Sequence, residues 1–127
     1  MSNVNDLITS YLAAWNERDS RRRKELIANT WSIDGSYVDP ARTGTGHDGL
    51  CAMMATVHER FGPEYKFRLK STDKAHHEFV RFQWEAGGTA DAPMHFVGTD
   101  IGIVGEDGRF ESVIGFTDEA PAAPLAR

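Results

Sequence analysis

An α+β fold is what this sequence predicts, with three N-terminal helices and then a cone-shaped, curved antiparallel sheet. Three observations carry that reading. Apolar residues recur at three- and four-residue spacing up to Phe61. Two-residue alternation replaces that spacing from Tyr65 onward. The later strands are separated by short turn sequences with no helix-length segment between them, so they meander instead of building parallel βαβ units.

Residues 4–17 form the first predicted helix, because Leu7, Ile8, Tyr11, Leu12 and Trp15 fall on one face. Asp19 or Ser20 is placed to cap a second helix through about Asn29, with Leu26 and Ile27 turned inward. The run Arg21-Arg22-Arg23-Lys24 reads as the solvated face of that helix. Ser32 to Val38 reads as a short strand that Asp39-Pro40 ends, since proline cannot donate to a ladder. Residues 40–46 read as a Gly/Thr-rich loop. A third helix is expected from about His47 to Phe61, with Leu50, Met54, Val57 and Phe61 as its apolar stripe and Gly62-Pro63 as its stop.

Tyr65 to Ser71 alternates apolar and basic residues, and Glu78 to Glu85 sets Val80, Phe82 and Trp84 against Phe79, Arg81 and Gln83. Gly87-Gly88 marks a turn. Met94 to Val104 is the longest predicted strand, and Glu106-Asp107-Gly108 turns it into a last strand from Phe110 to Thr117. One domain over residues 4–118 accounts for these elements, with residues 119–127 expected to form a disordered tail.

The 127 residues are enough for one domain with a real core. A net charge of -5 argues against general binding to a phosphate backbone, which needs a basic face. No apolar run reaches membrane-span length, and Met1 to Asp6 lacks the basic and apolar pattern of a secretory signal. Cys51 is the single cysteine, which forbids an internal disulfide and fits a reducing cytoplasm, the location expected here. Gly44-Thr45-Gly46-His47-Asp48-Gly49 matches a dinucleotide fingerprint in letters only, because that motif needs a parallel βαβ unit. His76 and His77 point to opposite faces of a strand, and His47, His58 and His95 lack ligand spacing, so no metal is expected.

Two aspartates stand out on physical grounds. Asp100 lies inside a strongly apolar strand, where a carboxylate costs free energy unless it is hydrogen-bonded or protonated. Its even-spaced neighbours Phe96, Gly98 and Gly102 share its face, and the glycines leave space that suits a ligand. The alternative is a carboxylate paired with Arg81. Asp39 ends a strand where a pocket mouth could lie; the alternative is an acid capping the turn that Pro40 begins. Tyr11 could donate a hydrogen bond into the pocket or simply complete its helix stripe. Trp31, Met54, Val57, Phe82 and Trp84 would form an apolar lining or an ordinary core, with His58 reaching the pocket from the third helix. Arg81 alternates away from Phe82 and Trp84, onto a face where it would meet another subunit.

The stretches Tyr11 to Asp19, Trp31 to Pro40, and Asp100 with Asp107-Gly108-Arg109 together resemble the nuclear transport factor 2-like superfamily over residues 4–118. That superfamily includes SnoaL-like polyketide cyclases and ketosteroid isomerases, and its fold is cystatin-like. The resemblance implies a pocket in which Tyr11 and a protonated Asp100 hold an enolate oxygen while Asp39 shuttles a proton. That is the arrangement of ketosteroid isomerase, a standard case of a neutral acid acting as donor. Asp100 also falls near the acid/base aspartate of the cyclases. The implied ligand is a small hydrophobic molecule that Tyr37 and Phe96 would also touch. The implied activity is cofactor-free isomerisation or cyclisation by proton transfer next to a carbonyl. A homodimer through the open sheet face is also implied. A non-catalytic binding module and a dimerisation scaffold with a filled core are the alternatives on the same fold.

Overall fold

The computed structural model describes residues 4–87 and 95–121, without the side chains of Thr72 and Asp73. Three helices precede the meander: α1 (Val4–Asn16), α2 (Ser20–Thr30) and α3 (Gly46–Arg60). The strands are β1 (Trp31–Val38), β2 (Thr43–Thr45), β3 (Phe67–His76), β4 (Phe79–Ala86), β5 (Phe96–Val104) and β6 (Phe110–Glu119). They form one curved, unclosed six-stranded sheet in the order β2-β1-β6-β5-β4-β3. The fold is the expected α+β cone. Among the described residues, no helix is long and apolar enough to cross a membrane.

The sheet is mixed, which corrects the all-antiparallel expectation: β1 runs parallel to β6, with Tyr37 opposite Val113 and Val38 opposite Ile114. No tight turn joins these two strands. More than half of the chain lies between them, so local turn chemistry does not dictate their direction. The loop expected over 40–46 contains β2, three residues paired antiparallel with β1. Glycine and threonine carry too little hydrophobic pattern to announce a strand that short. Between the two strands, residues 39–42 make the turn that matters for the site. The strand expected at Tyr65 begins at Phe67 and runs to His76, past an irregularity between Leu69 and Ser71. The tail from residue 122, Gly88 and Met94 lie outside the described residues.

The helices bury the faces that their spacing gives them. Leu7, Ile8, Tyr11, Leu12 and Trp15 of α1 are all buried, as are Ile27 of α2 and Leu50, Met54 and Val57 of α3. Asp19 caps α2, accepting from the Arg22 amide at 2.9 Å. Arg23 departs from the solvated face expected of the basic run. It sits one turn before Ile27 on the inward face, 3% exposed. There it donates to the Glu17 carbonyl at 2.8 Å and the Cys51 sulfur at 3.4 Å, and meets His58 Nδ1 at 3.2 Å.

Gly98 and Gly102 do make room, but for the protein's own rings. A Cβ on Gly98 would lie 2.2 Å from the Trp84 indole, and one on Gly102 would lie 2.3 Å from the Phe110 ring. The space expected for a ligand beside these glycines is therefore filled, and it is what lets Trp84 lie flat over β5.

Candidate active site

Helices and sheet leave a cavity of about 210 Å³ between them. Its walls are aromatic. Trp15 contacts Tyr37 and Phe67, with ring centres 5.2 and 5.4 Å apart, and Phe67 contacts Trp84 at 5.5 Å. Phe61 stacks on Tyr65 at 4.0 Å, and both meet Phe96 edge-on. Such a wall with a few polar groups is the common form of a small-molecule site.

The polar groups converge at one end. Asp100 is brought inward by β5, where it pairs with Gly115 of β6 and Phe82 of β4. Its Oδ2 accepts a short hydrogen bond from the Tyr11 hydroxyl, and its Oδ1 accepts from Trp84 Nε1 at 2.9 Å. Gly115 makes the junction possible. A Cβ there would lie 2.7 Å from the Tyr37 hydroxyl, 2.8 Å from Asp100 Oδ1 and 3.3 Å from Asp39 Cβ. Only a glycine leaves those three groups in one place.

Asp39 combines the two readings open to it. Its Oδ1 accepts from the Ala41 and Arg42 amides at 2.8 and 2.9 Å, closing the turn that Pro40 begins. Its Oδ2 faces the cavity and accepts from the Tyr37 hydroxyl at 2.7 Å and from Arg42 Nη1 at 3.3 Å. All four acceptor positions of this carboxylate are therefore filled. Asp39 can take a proton only after one donor lets go.

Burial pushes the Asp100 carboxyl up to about 7. The Tyr11 and Trp84 hydrogen bonds favour its ionised form and hold the rise in check, while the Asp39 and Asp118 charges add to it. Asp100 thus titrates near neutral pH. Burial and the Asp100 charge raise the Tyr11 phenol well above its ordinary range, and burial does the same to Tyr37. Both phenols therefore keep their protons. Tyr11→Phe removes the hydroxyl while keeping the ring among Trp15, Trp31, Phe82 and Phe110. The Asp100 carboxyl should then titrate above 7, as followed by its carbon-13 shift. An unmoved titration would mean that the short contact carries no energy.

Of the residues singled out in the sequence, Tyr11, Tyr37, Asp39, Val57, Trp84, Phe96 and Asp100 line the cavity. Trp31, Met54, Phe82 and His58 do not. The first three are fully buried in the core beneath it, with the Trp31 indole donating to the Ser36 carbonyl. His58 turns to the α1–α2 side, meeting the Trp15 carbonyl at 2.7 Å and Arg23. Arg81 stands exposed opposite Ile101, so the alternative Asp100–Arg81 pair is not formed. The sequence reading missed Trp15, Phe67 and Arg42. Trp15 was in the stripe of α1, but nothing in the stripe separates a pocket wall from core. Among the described residues, no group of three His, Cys, Asp or Glu side chains is placed to hold a metal.

Residues 8–113 match the SnoaL-like domain family. The chain belongs to the SnoaL-like family. A crystallised protein from Agrobacterium tumefaciens, described as "a putative isomerase of the SnoaL-like family", is 36% identical with a TM-score of 0.81, over 90% of this chain and 96% of that one. A "putative SnoaL-like polyketide cyclase" from Jannaschia sp. CCS1 shares the fold at 14% identity and a TM-score of 0.67, covering 90% and 86% of the two chains. A nuclear transport factor 2-like protein from Cytophaga hutchinsonii shares it at 13% identity and a TM-score of 0.64, covering 100% and 97%. No curated protein matches the sequence.

Proposed function

We propose that this SnoaL-like protein is a cofactor-free isomerase or cyclase that moves a proton next to a carbonyl group of a small hydrophobic molecule. One observation carries the proposal: a buried carboxyl that titrates near 7 faces an aromatic cavity and is held by two fixed donors. A proton-transfer group works best when its pKa lies near the working pH, because it then both accepts and returns the proton readily.

The roles differ from those implied by resemblance to ketosteroid isomerase. Asp100, whose oxygens hold one donor each, carries the proton from the carbon beside the carbonyl and delivers it to a second carbon of the same molecule. Tyr11 gives its one O–H to ionised Asp100 in the free protein; once Asp100 has taken the proton, Tyr11 turns that O–H to the oxygen on which charge develops. Asp39, with its acceptor positions filled, holds Tyr37 and Arg42 in place. The aromatic walls exclude water and orient a flat substrate.

The test is isomerisation of a β,γ-unsaturated cyclic ketone, followed by absorbance of the conjugated product. Asp100→Asn should lower the rate about 10²- to 10⁴-fold, the usual contribution of a general acid–base group. Asp39→Asn should lower it less. If Asp39→Asn abolishes turnover and Asp100→Asn spares it, the roles are those of the resemblance. If wild type turns over no such ketone, a non-catalytic binding module is the better reading.

On the outer sheet face, exposed Val38 lies beside exposed Ile114, with Phe116 two residues along β6 and Phe79 farther off on β4. These exposed apolar side chains support a homodimer through the sheet, for which the mass in solution is the direct measurement.

A further inference from the structure

The mouth of the cavity is basic although the chain as a whole carries a net charge of -5. Arg42, from the turn after β1, and Arg60, from the last turn of α3, both line it, together with Tyr65. The Arg42 side chain is 30% exposed, and its contact to Asp39 is long, at 3.3 Å. Among the described residues that contact uses one of its five N–H donors. Arg60 lies over the Phe61 ring at 5.5 Å, which sets its guanidinium beside the stacked Phe61–Tyr65 pair. The Tyr65 hydroxyl is half-buried and has no hydrogen-bond partner among the described residues. Burial raises its pKa, and the two groups that oppose that rise are Arg42 and Arg60, so both cations lie near its hydroxyl.

An apolar ligand alone has no use for two guanidinium groups and a free phenol at the pocket rim. A carboxylate does: an arginine fork matches its two oxygens, and a phenol adds a third donor. We infer that the ligand is a small, flat carboxylic acid, its apolar body between the aromatic walls and its carboxylate held at the mouth by Arg42, Arg60 and Tyr65. This rests on the cavity being the substrate site, and it narrows the substrate to a carbonyl compound that also carries a carboxylate, such as an aryl or cyclic keto acid. The geometry suits both groups on one small molecule. Asp39 touches Arg42 on one side and, across Gly115, lies next to Asp100 on the other. The carboxylate and the reacting carbon would then be a few bonds apart.

The proposal is tested by binding, without any need for turnover. The probes are 3-phenylpropionate and its uncharged methyl ester, titrated by calorimetry at low salt. Wild type should bind the acid at least tenfold more tightly than the ester. Arg42→Gln should lower affinity for the acid roughly ten- to hundredfold, as expected for loss of hydrogen bonds to a charged group, and leave the ester nearly unchanged. Arg60→Gln and Tyr65→Phe, which lie away from the Asp39 turn, should each weaken the acid by less and also spare the ester. An ester that binds as well as the acid, or variants that weaken both probes equally, would overturn the inference. So would a wild type that binds neither. Binding of the acid by a protein that isomerises neither the cyclic ketone nor a β,γ-unsaturated cyclic keto acid would keep this inference and remove the proton-transfer reading.

Discussion

Asp100→Asn should stabilise the protein at pH 8 while slowing proton transfer about 10²- to 10⁴-fold. The carboxyl titrates at about 7 in the folded chain against an ordinary 3.8. Folded protein therefore binds the proton more tightly than unfolded protein does. Below 3.8 both states are protonated and the group costs nothing. Between 3.8 and 7 the unfolded chain ionises first, so stability falls as pH rises, and above 7 the loss is complete. The full difference corresponds to about 4 kcal/mol, an upper figure for a carboxyl this deeply buried. Asparagine has no such cost, and it can still accept from Trp84. Urea unfolding of both proteins at pH 4.5 and pH 8 would measure the effect. The advantage of the variant should be small at the lower pH and reach about 2–4 kcal/mol at the higher one. His58, which burial holds below its ordinary pKa, weakens both proteins alike on the acid side and cancels from the difference. A difference that stays flat with pH would show that Asp100 is an ordinary carboxylate. The proposed acid would then have no basis.

The second large effect separates core from pocket. Trp31 is fully buried, with ring centres 5.2 Å from Tyr11 and 6.4 Å from Phe110, and it does not reach the cavity. Trp31→Ala should cost about 3–5 kcal/mol, the range for removing a large buried aromatic. That is a large part of the roughly 5–15 kcal/mol that holds a domain folded. The fraction that remains folded should bind a cavity ligand as wild type does. Trp84→Phe should behave in the opposite sense. It keeps most of the buried ring but removes the indole N–H from Asp100, so stability changes little while the carboxyl titrates higher. Urea unfolding beside a ligand titration reads both. A large fall in affinity for Trp31→Ala with little loss of stability would return Trp31 to the pocket wall.

Much of the fold was legible because it rests on short-range rules. The stripe of α1 emerged buried residue for residue, and the alternation of Val80 and Phe82 against Phe79 and Arg81 appeared as inside against outside. Where the pattern was thin, the reading failed. The three residues of β2 carry almost no hydrophobic signal. Arg23 looked like surface because arginine usually is, yet its position one turn before Ile27 already placed it on the inward face. The polar centre of the site was legible for a different reason. A carboxylate in an apolar strand is conspicuous, and the pairing of Asp100 with a tyrosine 89 residues away came from resemblance, not from any local rule.

What the sequence by itself determined is the order and period of the elements, the family, and Asp100 as a buried acid in need of partners. The elements follow from spacing along the chain, the buried acid from the cost of a charge among apolar neighbours, and the family from the resemblance of its motifs. Which rings are wall and which are core was decided only in three dimensions. Trp15 and Trp31 are both buried aromatics, yet Trp15 lines the cavity and Trp31 lies in the core beneath it. The tertiary structure also turned β1 parallel to β6 and set Trp84 against Asp100 across the bare backbone of Gly98. It gathered Arg42, Arg60 and Tyr65 around one cavity. These are contacts between distant segments, set by how curved layers meet, and no period in the chain records them.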